Sequence, residues 1–224
     1  MAGDVDLAAV AQAIAEPARA AMLLVLMDAG EHTASELAAM AGVAPSTGSA
    51  HLRRLHAAGL ITTTRQGRRR LHRIANPQTA NAIEALAAIA PPVLPANLRA
   101  ARHGDQLLIA RNCYGHLGGR LAVAIARRLV DDAVVPALHA GRTATLITTD
   151  HPLLHSLGLT TSIPAPLRGC LDWSQHTHHL AGPAGRHLLA ALLEHHWLTR
   201  TRTGRALRIT PTGEQNLTRL AVFY

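Results

Sequence analysis

Lysine is absent from this chain of 224 residues, so all 22 of its basic side chains are arginines. Set against 14 acidic residues they leave a formal net charge of +8, which points to an anionic partner. Aromatic residues are only 2 % of the chain, so its cores must be built from Leu, Ala, Val and Ile; with 48 % apolar content there is enough for two modest domains. Two cysteines, Cys113 and Cys170, are too few for a disulfide framework. No apolar run approaches a transmembrane length, and the opening residues MAGDVD carry no basic leader, so a cytoplasmic protein with no membrane partner is expected. Glycine-rich phosphate loops, strained nucleophile turns and paired-carboxylate motifs are also missing, which removes the usual signals of an enzyme.

What is present is concentrated between Thr33 and Asn76. Thr33 and Glu36 have capping-box spacing and open a short helix with Leu37 and Met40 on its apolar side. Gly42 marks a turn, Pro45 suits the start of a second helix, and Ser46 or Thr47 is placed to cap it. Leu52, Leu55 and Ala58 recur at helical spacing, leaving Ser46, Thr47, Ser49, Ala50, His51, Arg53 and Arg54 for the outer face. After Gly59 come a run of strand composition, Leu60 to Thr64, a Gln66-Gly67 hinge, and the run Arg68 to Ile74. Helix, turn, helix and basic hairpin in this order read as a winged helix-turn-helix for double-stranded DNA. Thr47, Ser49, Ala50 and Arg53 are assigned to base edges, Arg65, Arg68, Arg69 and Arg70 to the phosphate backbone, and Ser46, His51, Arg54 and Gln66 complete the DNA-binding set. The competing reading of the hairpin is a solvated edge whose arginines guard against strand pairing.

These residues resemble the ArsR/SmtB family of bacterial winged-helix repressors. The similarity runs from Ala13 through Ile74 and rests on Glu16-Pro17 with Arg19, Glu36-Leu37-Ala38, the Pro45 to Leu55 recognition helix, Ala58-Gly59-Leu60 and the Gly67-Arg68 wing. Within the family the cadmium- and lead-sensor branch is nearest. The resemblance implies a homodimeric repressor that leaves its operator when an inducer binds, its first and last N-terminal helices pairing across a two-fold axis. The family's usual metal positions are not reproduced, since Ala38-Ala39-Met40, Arg53-Arg54 and Thr79 to Ala82 stand where sensors carry cysteines, aspartates or histidines.

Around this module, helices are expected over Val5–Ala15, Ala18–Asp28 (ended by Gly30) and Pro77–Ile89. The fold class is mainly α with small β-hairpins (α+β). A winged helix-turn-helix and dimerisation domain spans 1–90, a proline-rich linker 91–97, and a sensor or interaction domain 98–224. In that last domain 116–157 aligns without a gap on 179–220, predicting two winged-helix-like half repeats, each a helix, a hairpin with Gly-Arg at its tip, and a short helix. Arg200, Arg202, Arg205 and Arg208 on the second hairpin are candidates for further phosphate contacts.

The input signal has several candidate sites. Cys113 and His116, three apart and so on one face if helical, can offer sulfur and nitrogen to a soft divalent metal ion, with Cys170, Asp172, His176 and His178 completing a set. The alternative is that the thiols are small buried hydrophobes and the histidines are surface groups, in a chain with 15 of them. Longer ArsR-type regulators resemble this chain around Cys113 and Cys170, but their acidic residues are replaced here by Gly115 and Gln175. An organic inducer held near Trp173 and Trp197 is the other option. Two rival functions stand beside the inducible repressor: an enzyme using Cys113 with His116 or His176, and an architectural DNA-binding protein with no inducer.

Overall fold

The computed structural model describes residues 4–160, 163–201 and 204–224. They divide into two compact units, Met1–Ile83 and Glu84–Tyr224.

The first unit begins with α1 (Leu7–Ile14), where the Asp6 side chain accepts from the Ala9 amide. Glu16 caps α2 (Pro17–Leu26) in the same way, and α2 buries Met22, Leu23 and Leu26. This helix stops short of the expected Asp28, because Ala29 turns the chain with a φ of 60° before Gly30 is reached. A two-residue β1 (His32–Thr33) leads into α3 (Ala34–Met40), and Thr33 and Glu36 form the expected capping box. The α4 helix (Pro45–Ala57) differs at its start: Ala44 is the cap residue and supplies no side-chain bond. The helix begins at Pro45 as expected, but Ser46 and Thr47 lie inside its first turn and do not cap it. The wing is β2 (Ile61–Gln66) antiparallel to β3 (Arg69–Ile74), in register from Ile61↔Ile74 to Gln66↔Arg69, with Gly67 at φ 59° in the tip. β1 closes the other edge of β3.

The α5 helix (Pro77–Ile89) runs across the boundary between the units. That boundary falls ahead of the proline-rich stretch where the sequence places it, since Glu84, buried to 4 % exposure, pairs with Arg205 far along the second unit at 2.9 Å.

The second unit contains α6 (Leu98–Ile109), then β4 (Arg111–Cys113) and β5 (His116–Gly118) as a hairpin, and α7 (Arg120–Asp131). After β6 (Thr143–Ala144) and α8 (Pro152–Ser156) the pattern resumes with the hairpin β7 (Leu167–Leu171) and β8 (His178–Ala181), followed by α9 (Gly182–Glu194). The chain ends with β9 (Leu198–Arg200), β10 (Leu207–Ile209) and α10 (Pro211–Arg219). A hairpin thus leads into each copy of the repeat, its second strand and the helix that follows falling at the copy's start. The copies are crossed: α7 packs on β8 and α9 on β5. Leu121, Ile125 and Leu129 of α7 join Leu188 and Leu192 of α9 in one aliphatic core, with Trp197 among them.

Only the second copy makes the expected later hairpin, Leu198↔Ile209 through Leu207↔Arg200. In the first copy β6 pairs with β7 instead. Val134 and Val135 sink into the core there, and Pro136 follows with no amide to offer a ladder. Among the described residues no single helix is long and apolar enough to cross a membrane.

Candidate nucleic-acid interface and thiol-imidazole cluster

On α4 the buried residues are Gly48, Leu52 and Leu55. Their spacing turns Ser46, Thr47, Arg53 and Arg54 outward and exposed, with Ser49 and Ala50 half-buried beside them. Ser49 donates from its hydroxyl to the Pro45 carbonyl at 3.0 Å, so its oxygen lies along the helix and not inside the protein. With no side chain capping its first turn, α4 keeps amides at its N-terminus for an anionic group. His51 is the exception among the residues assigned to this face. It turns back, its Nε2 3.4 Å from Glu16 and its Nδ1 3.5 Å from Arg19, and braces α4 against the start of α2 instead of facing outward.

The wing exposes Arg65, Gln66, Arg68, Arg69 and Arg70, and Arg65 Nε donates to the Gly67 carbonyl at 3.3 Å, stiffening the tip. The apolar Ile61 and Ile74 anchor its base in the core. A rigid helix end and a hairpin lined with permanent cations are the two parts that groove reading and backbone contact require.

In the second unit Cys113, His116, Cys170 and His179 converge, with one ligand atom from each lying within 4.8 Å of all the others. Their exposures are 0 %, 6 %, 8 % and 0 %. Cys113 and His116 do not share a helix face as their spacing suggested; they are directly opposed across β4 and β5. Cys170 and His179 are opposed in the same way across β7 and β8. The two sulfurs are 4.0 Å apart and both thiols are free. The neighbouring Cys170 thiol and burial together push the Cys113 thiol up to about 12. Burial pulls His179 down, but the Asp172 carboxylate and Cys113 outweigh it and raise the imidazole to about 9.

Asp172 lies beside the cluster as its brace. Its Oδ2 is 3.4 Å from His179 Nδ1 and 2.9 Å from Arg111 Nη2, all three side chains being inaccessible to solvent. It also accepts from the amides of Gly119, Ser174 and Gln175 and from the Ser174 hydroxyl. Burial alone would raise its pKa; His179, Arg111 and Ser174 reverse that and hold the carboxyl well below the usual carboxylate range.

The family description "Bacterial regulatory protein, arsR family" matches residues 16–63. An HTH-type transcriptional regulator of Bacillus subtilis, YdfF, whose name calls it uncharacterized, is 36 % identical over 93 % of this chain and 94 % of its own length. The chain belongs to the arsR family of bacterial regulatory proteins. It is a DNA-binding transcriptional regulator with a winged helix-turn-helix. Solved structures similar to its N-terminal part include the homodimeric winged helix-turn-helix DNA-binding domain (fragment 1–100) of a possible ArsR-family regulator from Mycobacterium bovis, 30 % identical over 40 % of this chain and 89 % of that one, with a TM-score of 0.34. Another is the cadmium metal-sensor CMTR of Mycobacterium tuberculosis, 30 % identical over 41 % of this chain and 100 % of that one, with a TM-score of 0.33.

Of the sensor candidates named from this regulator's sequence, three are brought together and three are not. Asp172 is committed to Arg111 and the backbone, His176 is exposed in the turn at φ 50°, and His178 faces His139 with ring centroids 5.9 Å apart. His179 is the residue that sequence reasoning passed over. The signal that finds it is strand alternation, which points His178 and His179 to opposite faces once Cys170 is fixed inward. The indoles differ in setting: Trp197, 3 % exposed, is part of the aliphatic core, while Trp173 lies under the Arg111 guanidinium at 4.4 Å. Of the second-hairpin arginines, Arg200 and Arg208 are exposed, Arg205 is buried against Glu84, and Arg202 lies outside the described residues.

Proposed function

We propose that this arsR-family regulator is a homodimeric repressor that leaves its operator when an inducer, an organic molecule or a soft metal ion, is taken up by the C-terminal domain. The observation that carries this reading is the pairing of an uncapped, outward-facing α4 N-terminus with a wing exposing Arg65, Arg68, Arg69 and Arg70. Thr47, Ser49, Ala50 and Arg53 then meet base edges, and the wing arginines hold phosphate.

Dimerisation is supported by apolar side chains left uncovered on the helices that bound the winged helix. Leu7 of α1 is 73 % exposed, and Leu86 and Ile89 of α5 are 46 % and 81 % exposed. A second copy covering them would set two α4 helices for successive half-sites of a palindromic operator.

The test is binding of the full-length protein to its own promoter DNA across a salt series, with the stoichiometry of the complex measured by sedimentation. Two protomers per site, a steep fall of affinity with salt, and release of DNA by at least one compound in a screen of ions and small molecules are expected. A flat salt response or a monomeric complex would overturn the reading. Tight, salt-sensitive binding that nothing in the screen releases would favour an architectural protein.

A further inference from the structure

We propose that Cys113, His116, Cys170 and His179 hold one tetrahedral divalent ion of the zinc class, closed to solvent and shared between the β4–β5 and β7–β8 hairpins. The donor set is two sulfurs and two nitrogens, which suits zinc or a comparably soft ion and not the oxygen-seeking magnesium or calcium.

The geometry fits such an ion closely. Bonds of about 2.3 Å to sulfur and about 2.0 Å to nitrogen place tetrahedral ligand atoms roughly 3.3–3.8 Å apart. The four donor atoms already lie within 4.8 Å of one another, and the two sulfurs stand at 4.0 Å. That sulfur separation is about twice the length of a disulfide bond, so the thiols are spaced to share a ligand and not joined to each other.

Polar bookkeeping points the same way. The Nε2 atoms of His116 and His179 are buried without a hydrogen-bond partner, and the two cysteines opposite them in their hairpins pack with Ala181 in a small buried cluster. Interiors rarely leave such atoms unpaired, and an ion at the centre would satisfy both. Two thiolates balance a divalent charge, so the filled site is electrically neutral and suits its apolar surroundings. Asp172 at 3.4 Å from His179 Nδ1 is placed as the carboxylate that orients a metal-bound imidazole, and Arg111 keeps it there.

Symmetry supplies the reason for the site's position. Each hairpin contributes one sulfur and one nitrogen from directly opposed residues, Cys113↔His116 and Cys170↔His179. The ion therefore clasps β4–β5 to β7–β8, fastening the two copies of the repeat. With four protein ligands and no exposed position it is a folding clasp, not a reaction centre. This inference concerns the C-terminal unit and stands whether or not the repressor reading survives.

The experiment uses full-length protein purified under reducing conditions, stripped by chelator, titrated with Co²⁺ and then with Zn²⁺, and assayed for metal content. Expected are one ion per chain, the visible bands of tetrahedral cobalt with thiolate-to-metal charge transfer, their loss on adding zinc, and a higher thermal midpoint on loading. Cys113→Ser and His179→Gln should lose the cobalt spectrum, while His178→Gln, one residue away, should keep it. Because the wild-type spectrum stands by itself, a variant that fails to fold does not decide the matter. Substoichiometric uptake by the wild type, an octahedral cobalt spectrum, or loss of the ion in His178→Gln with retention in His179→Gln would overturn the proposal.

Discussion

Gly48 of α4 and Ala38 of α3 meet so closely that a β-carbon added at Gly48 would stand 2.6 Å from the Ala38 β-carbon. This contact fixes the angle between the two helices of the DNA-reading motif. Gly48→Ala should therefore destabilise the N-terminal unit by about 1–3 kcal/mol through overpacking, even though alanine favours a helix by about 1 kcal/mol. Adding Ala38→Gly should recover most of that loss, as read by urea unfolding. Equal stability in Gly48→Ala would show that the helices can part without strain.

Arg69 lies on the exposed face of the wing, opposite Gln66. Arg69→Ala should weaken binding to all duplexes about equally and reduce the salt slope by about 1, the signature of one lost phosphate contact. Thr47→Ala should instead change which sequences are preferred. A competition series over operator variants separates the two outcomes.

Arg205 and Glu84 form a buried ion pair at 2.9 Å, with side-chain exposures of 8 % and 5 %. Removing one partner leaves the other as an unpaired buried charge, so Arg205→Ala should cost about 3–5 kcal/mol. Replacing both with apolar residues of similar size, Glu84→Leu with Arg205→Met, should cost far less. Denaturant unfolding of the three proteins checks the ordering.

His32 sits 2.9 Å from Asp28, whose hydrogen bond raises the imidazole pKa above 6.5; burial opposes this and the charges of Asp28 and Glu36 add to it. The group binds its proton more tightly folded than unfolded. Its stabilisation is thus complete below pH 6.5 and is lost as pH rises through the higher folded value. The thermal midpoint should fall over that window, and His32→Gln should flatten the fall. An unchanged profile in the variant would assign the pH dependence elsewhere.

Local signals carried much of this protein in its sequence. The Thr33–Glu36 capping box, the Pro77 helix start and the arginine-lined hairpin depend on residues a few positions apart, and they form as their spacing dictates. The repeat was visible too, because matching residues recur in order. His51 shows where such reading stops: helical spacing places it near the outer face, but Glu16 and Arg19 on another helix turn it inward. The first copy's missing hairpin has the same origin, since β6 finds a long-range partner in β7. The amino-acid order alone thus determined a winged helix that meets DNA and two stretches of the second half in which a hairpin runs into a helix. Only the tertiary structure decided that His179, and not Asp172, His176 or His178, joins the two cysteines and His116. Strand alternation puts Cys170 and His179 on one face of their own hairpin, but their meeting with Cys113 and His116 depends on how two distant hairpins pack, which no short-range pattern encodes.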